Sequence, residues 1–240
     1  MNNNTNIETE ARRIRSEYQR RERELAVDLY APWQPGEIFM VAERERIAAI
    51  MLKKIEKFPV AGDRCLELGY GKLGWLGRMV SWGLREPDLH GIELDQDRAL
   101  VAKAALPNAI LKVGNAVQLP WQDGHFRFVV ASTLFSSILD KQVRMLIAKE
   151  MDRVLMSGGV VLWYDAAVDN PQNSHLRGIK RVELAKLFPK YEFHTRSVTL
   201  APPLSRRVAE FSWTFATILG AMPLFRTHLL GTLVKPSPRC

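Results

Sequence analysis

The sequence is poor in cysteine. Its 240 residues contain two, Cys65 inside an apolar stretch and Cys240 at the terminus. Two residues so far apart give no metal-ligand spacing and no disulfide framework, which suits a reducing compartment. No apolar run is long enough to cross a bilayer. The strongest, residues 211–225, is interrupted by Pro223. The first residues alternate charges and offer no apolar h-region, so a secretory signal is not expected. There is no internal repeat and no interleaved basic–aromatic run, which disfavours a repeat array and a single-strand RNA module. Acidic residues are scarce at one end only. Residues 166–240 hold 4 Asp/Glu against 11 Lys/Arg, whereas 1–60 hold 10 against 11 and 61–165 hold 12 against 12. The net charge of +8 is therefore a C-terminal property. It is either a solvated face or a field that draws an anionic substrate, a nucleic acid or an acidic membrane surface.

The length fits one domain with appendages. Residues 1–6 are Asn/Thr-rich and read as disordered. Residues 9–29, dense in Arg and Glu, read as an exposed helix, and residues 38–58 as a second helix. Between them Tyr30, Pro32, Trp33 and Pro35 mark a loop that either pins this arm to the core or closes over a ligand. From residue 62 the pattern alternates. Strands are expected at 65–68, 89–94, 109–113, 126–132 and 160–164, with helices at 73–82, 96–106 and 140–155, the last stopped by Gly158-Gly159. This argues a parallel sheet covered by helices on both faces. The tail reads as a helix at 181–187, a strand at 191–200, a helix at 204–219 and a final strand at 227–234. The expected division is an arm and lid at 1–60, then one domain at 61–240 whose part 166–240 is a basic, substrate-side region.

Gly69, Gly71 and Gly74 after the first strand fit G-x-G-x-x-G, a turn that brings backbone close to a ligand. Glu67 precedes it, and a carboxylate there suits an ammonium group better than a pyrophosphate. Ligands of open parallel sheets bind at the carboxyl ends of the strands. Glu93, 24 positions after Gly69, stands where a carboxylate grips a ribose diol, next to Leu94. Asn115 and Ala116 follow the third strand, where the Asn115 carbonyl can accept from an adenine amine.

Glu67-Leu68-Gly69-Tyr70-Gly71, Gly91-Ile92-Glu93, Gly114-Asn115-Ala116 with Leu119-Pro120, Arg153-Val154-Leu155 and Gly158-Gly159 stand in one order. In these residues the chain resembles the class I S-adenosylmethionine-dependent methyltransferases. The resemblance implies a Rossmann-like α/β fold, a mainly parallel seven-stranded sheet with an N-terminal helical arm, and S-adenosyl-L-methionine as cofactor. It places Gly69 and Gly71 at the methionine part, Glu67 facing its amino group, Glu93 and Leu94 at the ribose, and Asn115 and Ala116 beside the adenine. Thr133 and Phe135 would lie beside the methionine part and the transferred methyl. Where the family often has a third glycine, an Asp and another Asp, this chain has Leu73, Asn115 and Arg127.

The tail, with Leu162-Trp163-Tyr164-Asp165, Asp169-Asn170-Pro171 and Arg226-Thr227-His228, resembles bacterial methyltransferases found with glycan assembly. That implies O-methylation of a sugar or other small-molecule hydroxyl, on a nucleotide- or lipid-linked saccharide, in the cytoplasm or at the inner membrane face. Asp165 is either a general base toward that hydroxyl or a cap on the next segment. His175 and His228 are the further acid–base candidates. The rivals are an RNA methyltransferase and a non-catalytic protein that binds S-adenosylmethionine. The oligomeric state is not legible.

Overall fold

Alternating apolar strands and amphipathic helices build a layered α/β domain in the computed structural model, which describes residues 3–26, 28–171 and 173–237. Two helices lead, α1 (Asn3–Glu24) and α2 (Pro35–Lys54). The alternating part follows: β1 (Cys65–Leu68), α3 (Leu76–Ser81), β2 (Leu89–Glu93), α4 (Gln96–Ala105), β3 (Ile110–Val113), β4 (Phe126–Ser132), α5 (Lys141–Val154) and β5 (Leu155–Ala166). The tail adds α6 (Arg181–Leu187), β6 (Glu192–Leu200), α7 (Pro202–Phe211), α8 (Trp213–Ala221) and β7 (Arg226–Val234). All seven strands form one sheet in the order β3-β2-β1-β4-β5-β7-β6, with β7 antiparallel to both its neighbours.

The chain winds outward from β1 to β3 and then restarts at β4 on the other side of β1. Strand order reverses there, so a crevice opens beyond the carboxyl ends of β1 and β4. The two-residue period of the strands fills both faces. Leu66, Leu68, Val129 and Trp163 pack with α5 and α6, while Cys65, Phe128, Leu162 and Tyr164 pack with α2 and α3. Val129 and Phe128 are both fully buried, so β4 reads as a continuous apolar run rather than an alternation.

Several boundaries depart from the sequence reading. α1 already begins at Asn3, so residues 3–6 are helical rather than disordered. α5 ends at Val154 and the chain passes straight into β5. Gly158-Gly159 does not stop a helix: it lies within β5, where Phe126 pairs with Leu155 and Phe128 with Val160, leaving extra residues as a bulge. Gly158 has φ +69°, the left-handed conformation that such a bulge requires. The single helix expected at 204–219 is two. Ser212 is extended (φ −159°), and its Oγ accepts from Phe215 N at 3.2 Å to start α8. The α7–α8 segment joins β6 to β7. Because Leu200 pairs with Arg226 while Ala166 pairs with His228, it springs from the same end of the sheet as the crevice.

Candidate active site

The glycine turn comes first. Gly69, Gly71 and Gly74 all have positive φ, between +57° and +66°. At Gly74 a Cβ would lie 2.3 Å from Glu67 Oε1. Only glycine lets that carboxylate occupy its place. Glu67 Oε2 accepts from Trp75 N at 2.7 Å and Leu76 N at 3.1 Å, the free donors at the start of α3. Burial pushes its pKa up to about 8. The expectation that Glu67 faces a cofactor amino group is thus corrected. The carboxylate turns into the loop and shapes it, because the helix donors are nearer than the cleft.

Glu93 ends β2 and is 2% exposed. Its Oε2 accepts from Gly71 N at 2.8 Å, and its Oε1 accepts from Leu94 N at 2.8 Å and Asp95 N at 3.1 Å. One carboxylate therefore ties the second strand end to the glycine turn, and Oε2 keeps a lone pair. Glu93, Leu94, Gly69, Gly114, Asn115 and Ala116 line one cleft. Within it, the Asn115 carbonyl oxygen already accepts from Val117 N at 3.2 Å. That bond fixes the side chain in a local turn and orients its amide donors.

The cleft has a roof that the sequence reading did not assign. Ile7, Ala11, Ile14 and Tyr18 of α1 line it. Their spacing of four, three and four residues places them on one helix face. This periodicity was available in the sequence, hidden by the surrounding Arg and Glu. α1 is latched at several points. Glu10 accepts from Leu139 N, Arg13 donates to Ser137 O, and Arg15 Nε donates to Leu94 O at 3.3 Å. The Arg98 guanidinium lies 4.3 Å over the Tyr18 ring. Tyr30 and Trp33 do not line the cleft. The Tyr30 ring sits 5.2 Å from the Arg206 guanidinium and anchors the arm to α7, whereas Trp33 is 66% exposed.

Beyond β4, Thr133 is exposed with φ +51° and Phe135 is fully buried against Trp163 at 4.7 Å. Neither lines the cleft, which corrects their expected place beside the cofactor. Leu134 and Ser137 line it instead. Asp165 explains the shape of this turn. Its Oδ2 accepts from Phe135 N at 2.8 Å and Ser136 N at 3.1 Å, and its Oδ1 accepts from Ala166 N at 2.9 Å. It is wholly enclosed, and burial pushes its pKa up to about 6. A group enclosed this way cannot reach an acceptor proton, so the base reading does not stand; nor does Asp165 cap the segment that follows it, because it caps the earlier turn at Phe135 and Ser136.

The histidines differ. His175 is partly exposed, with Nε2 3.7 Å from Glu17 of α1. His228 is the third residue of β7 and stacks on the Tyr164 ring, centroids 5.0 Å apart and planes 8° apart. Its Nδ1 is 2.9 Å from Thr227 Oγ1. Burial, with the nearby Arg44 charge, pushes its pKa down to about 4, so the ring is neutral at pH 7. Arg44 is a further correction: helical spacing over residues 38–58 has it facing away from the core, but it packs inward between two rings. Its guanidinium lies 5.4 Å from the Trp75 ring and 5.3 Å from Tyr164, and among the described residues it makes no ion pair. As one more charge on a mixed-charge helix, it carried no signal in the sequence.

A family profile for the methyltransferase domain matches residues 66–163, which hold the glycine turn, Glu93 and Asn115. Among curated proteins no sequence matches significantly. Solved structures share the fold. A SAM-dependent methyltransferase from Methanosarcina mazei is 18% identical, with a TM-score of 0.57 over 77% of this chain and 97% of its own. One from Archaeoglobus fulgidus is 13% identical, with a TM-score of 0.57 over 82% of this chain and 96% of its own. The [4+2]-cyclase SpnF is also similar, 14% identical with a TM-score of 0.54 over 80% and 82%. The fold by itself therefore does not name the acceptor.

Proposed function

We infer that this class I S-adenosylmethionine-dependent methyltransferase methylates a hydroxyl of a small anionic acceptor, a nucleotide- or lipid-linked saccharide. The cofactor fits what the cleft presents. Gly69 brings bare backbone to it, Glu93 offers the remaining lone pair of Oε2 to a ribose, and Asn115 and Ala116 line the cleft; Gly71, expected there too, does not line it and turns its N–H to Glu93. Arg44 does not line the cleft, but it makes no ion pair among the described residues and lies 5.4 Å from the Trp75 ring after the glycine turn, where it would take the methionine carboxylate. When bound, the cofactor supplies an electrophilic sulfonium methyl.

What this chain adds is position and dryness. α1 roofs the cleft with Ile7, Ala11 and Ile14, which keeps water from the methyl. A sugar hydroxyl has a high pKa and needs a base as its oxygen bonds to carbon. His228 is the group we assign. Its ring is neutral at pH 7 and less enclosed than Asp165, its Nε2 has no partner among the described residues, and, although it does not line the cleft, it stands at the same carboxyl-end edge of the sheet. This neutral, uncommitted histidine is the observation that carries the hydroxyl reading. The basic excess of residues 166–240 supports an anionic acceptor. The α1 roof favours a small acceptor over RNA, which would need an open basic groove.

The test is transfer of labelled methyl to cell extract split into nucleotide-sugar, lipid-linked glycan, protein and RNA fractions. Label in either of the first two fractions is expected. Label confined to protein or RNA would overturn the acceptor assignment.

A further inference from the structure

α8 is inside out. A helix at a protein surface ordinarily buries its large apolar side chains and shows polar ones. Here the small residues Ala216 and Gly220, one turn apart, face inward, with Gly220 packed near Leu200 and Phe39. Of the large ones, Leu219 and the edge of Trp213 pack inward, but Phe215 is 52% exposed and Ile218 56%. The face continues at both ends, with Phe211 86% exposed before α8 and Leu224 84% exposed after it. Residues 211–224 contain no Asp, Glu, Lys or Arg. Scattered exposed apolar residues are normal on proteins, but a charge-free run of this kind marks a contact surface.

Charge complementarity selects among occupants. Arg207 lies one turn before Phe211, is exposed and makes no ion pair among the described residues, while Arg206 beside it is engaged by the Tyr30 ring. They belong to the third of the chain that carries nearly all the positive excess. Exposed Glu210 also borders the patch, so it is the excess of this whole third of the chain, not the border alone, that sets the sign of the field. An anionic surface is attracted. Aromatic residues with adjacent arginine are also the composition of helices that lie in a membrane interface. No helix among the described residues is long and apolar enough to cross a membrane. A segment of 9 residues such as α8 can only lie along the surface.

We propose that the α7–α8 segment docks the protein on an anionic lipid bilayer, with Phe211, Phe215, Ile218 and Leu224 entering the headgroup boundary and Arg207 meeting lipid phosphate. The segment springs from the carboxyl-end edge of the sheet, so docking brings that edge to the bilayer.

The test is flotation of the full-length protein with vesicles of phosphatidylcholine alone or containing phosphatidylglycerol, with no methyl donor present. Its outcome is thus separate from the acceptor assignment. The wild type floats with phosphatidylglycerol vesicles, less at high salt. Phe211→Ser with Leu224→Ser loses about tenfold or more in partitioning, and Arg207→Glu weakens binding to the anionic vesicles alone. Both variants keep the wild-type circular dichroism, because these side chains are exposed. Wild-type protein that stays unbound, or that floats equally on both vesicles, overturns the proposal. So does a double variant that floats like the wild type. Light scattering on the same samples tests the rival occupant: a wild-type dimer that the double variant splits, without flotation, overturns the proposal in favour of a second copy.

Discussion

Glu93 Oε2 accepts a hydrogen bond from Gly71 N at 2.8 Å, so the carboxylate after the second strand holds the glycine turn after the first. The two parts of the cofactor cleft are one mechanical unit. If Glu93 holds the ribose as proposed, Glu93→Ala removes that grip and loosens the turn together. Binding of S-adenosylhomocysteine should weaken about a hundredfold, from the loss of two charge-assisted bonds. Glu93→Gln, which keeps an acceptor for Gly71 N, should fall between. Calorimetric titration measures both, and unchanged affinity in the two variants removes Glu93 from the cleft.

Glu67 gives a pH dependence of defined sign. Its folded pKa of about 8 stands above the ordinary 4.5, so between these values the folded chain binds more protons than the unfolded one. Stability then falls as pH rises through this window. His228 does not confuse the upper part, because its pKa of about 4 leaves it neutral in both states above pH 7. Denaturant melts of the wild type should lose stability between pH 7 and pH 8, approaching about 1.4 kcal/mol per pH unit for one full proton. Glu67→Gln should show a flatter profile. A wild type as flat as the variant means that Glu67 is ionised when folded.

Asp165→Asn separates scaffold from chemistry. The carboxylate accepts three backbone N–H bonds and touches nothing else that reacts. An amide places a donor against one of those donors, at a cost of about 2 kcal/mol. The variant should melt earlier, yet turn over normally per folded molecule with an unchanged pH–rate profile. A lost limb of that profile would restore Asp165 as a base.

The strand ends were legible from sequence because they are local. A strand, a glycine turn and a carboxylate at fixed offsets placed Gly69, Glu93 and Asn115 at one cleft, and the structure brings them together there. Side-chain direction was not legible. Glu67, Phe135 and Asp165 each stand at a strand end, yet each turns inward, because unpaired backbone N–H groups or core space lie closer than the cleft. The α1 roof was missed for a different reason. Its Ile7, Ala11, Ile14 and Tyr18 stripe is narrow and set among charges, so the helix reads as exposed until the cleft beneath it is known.

His228→Ala should lower turnover by about a hundredfold or more while leaving S-adenosylhomocysteine affinity unchanged, since general-base catalysis contributes at this scale. The wild-type rate should fall in acid only as pH approaches about 4, where the ring protonates. The same substitution at His175, which is partly exposed on the α1 side, should have a small effect. Equal losses at the two positions would place the proton transfer elsewhere.

The last prediction concerns α1 as a gate. A ligand beneath it has to pass it, and Glu10 and Arg13 pin it to the turn after β4 through Leu139 N and Ser137 O. These two side chains also pair with each other at 2.8 Å. Burial would raise the Glu10 pKa, but Arg13 and the Leu139 N–H outweigh it and hold the carboxylate below its usual range. The latch is therefore intact at neutral pH and is lost as pH falls through that lowered value. Glu10→Ala with Arg13→Ala should open α1 and raise both association and dissociation rates of S-adenosylhomocysteine by about tenfold, the scale of one or two part-buried bonds. The equilibrium affinity should move less than either rate. Stopped-flow binding reads both, and rates that stay at wild-type values would mean that the cleft fills by a route α1 does not control.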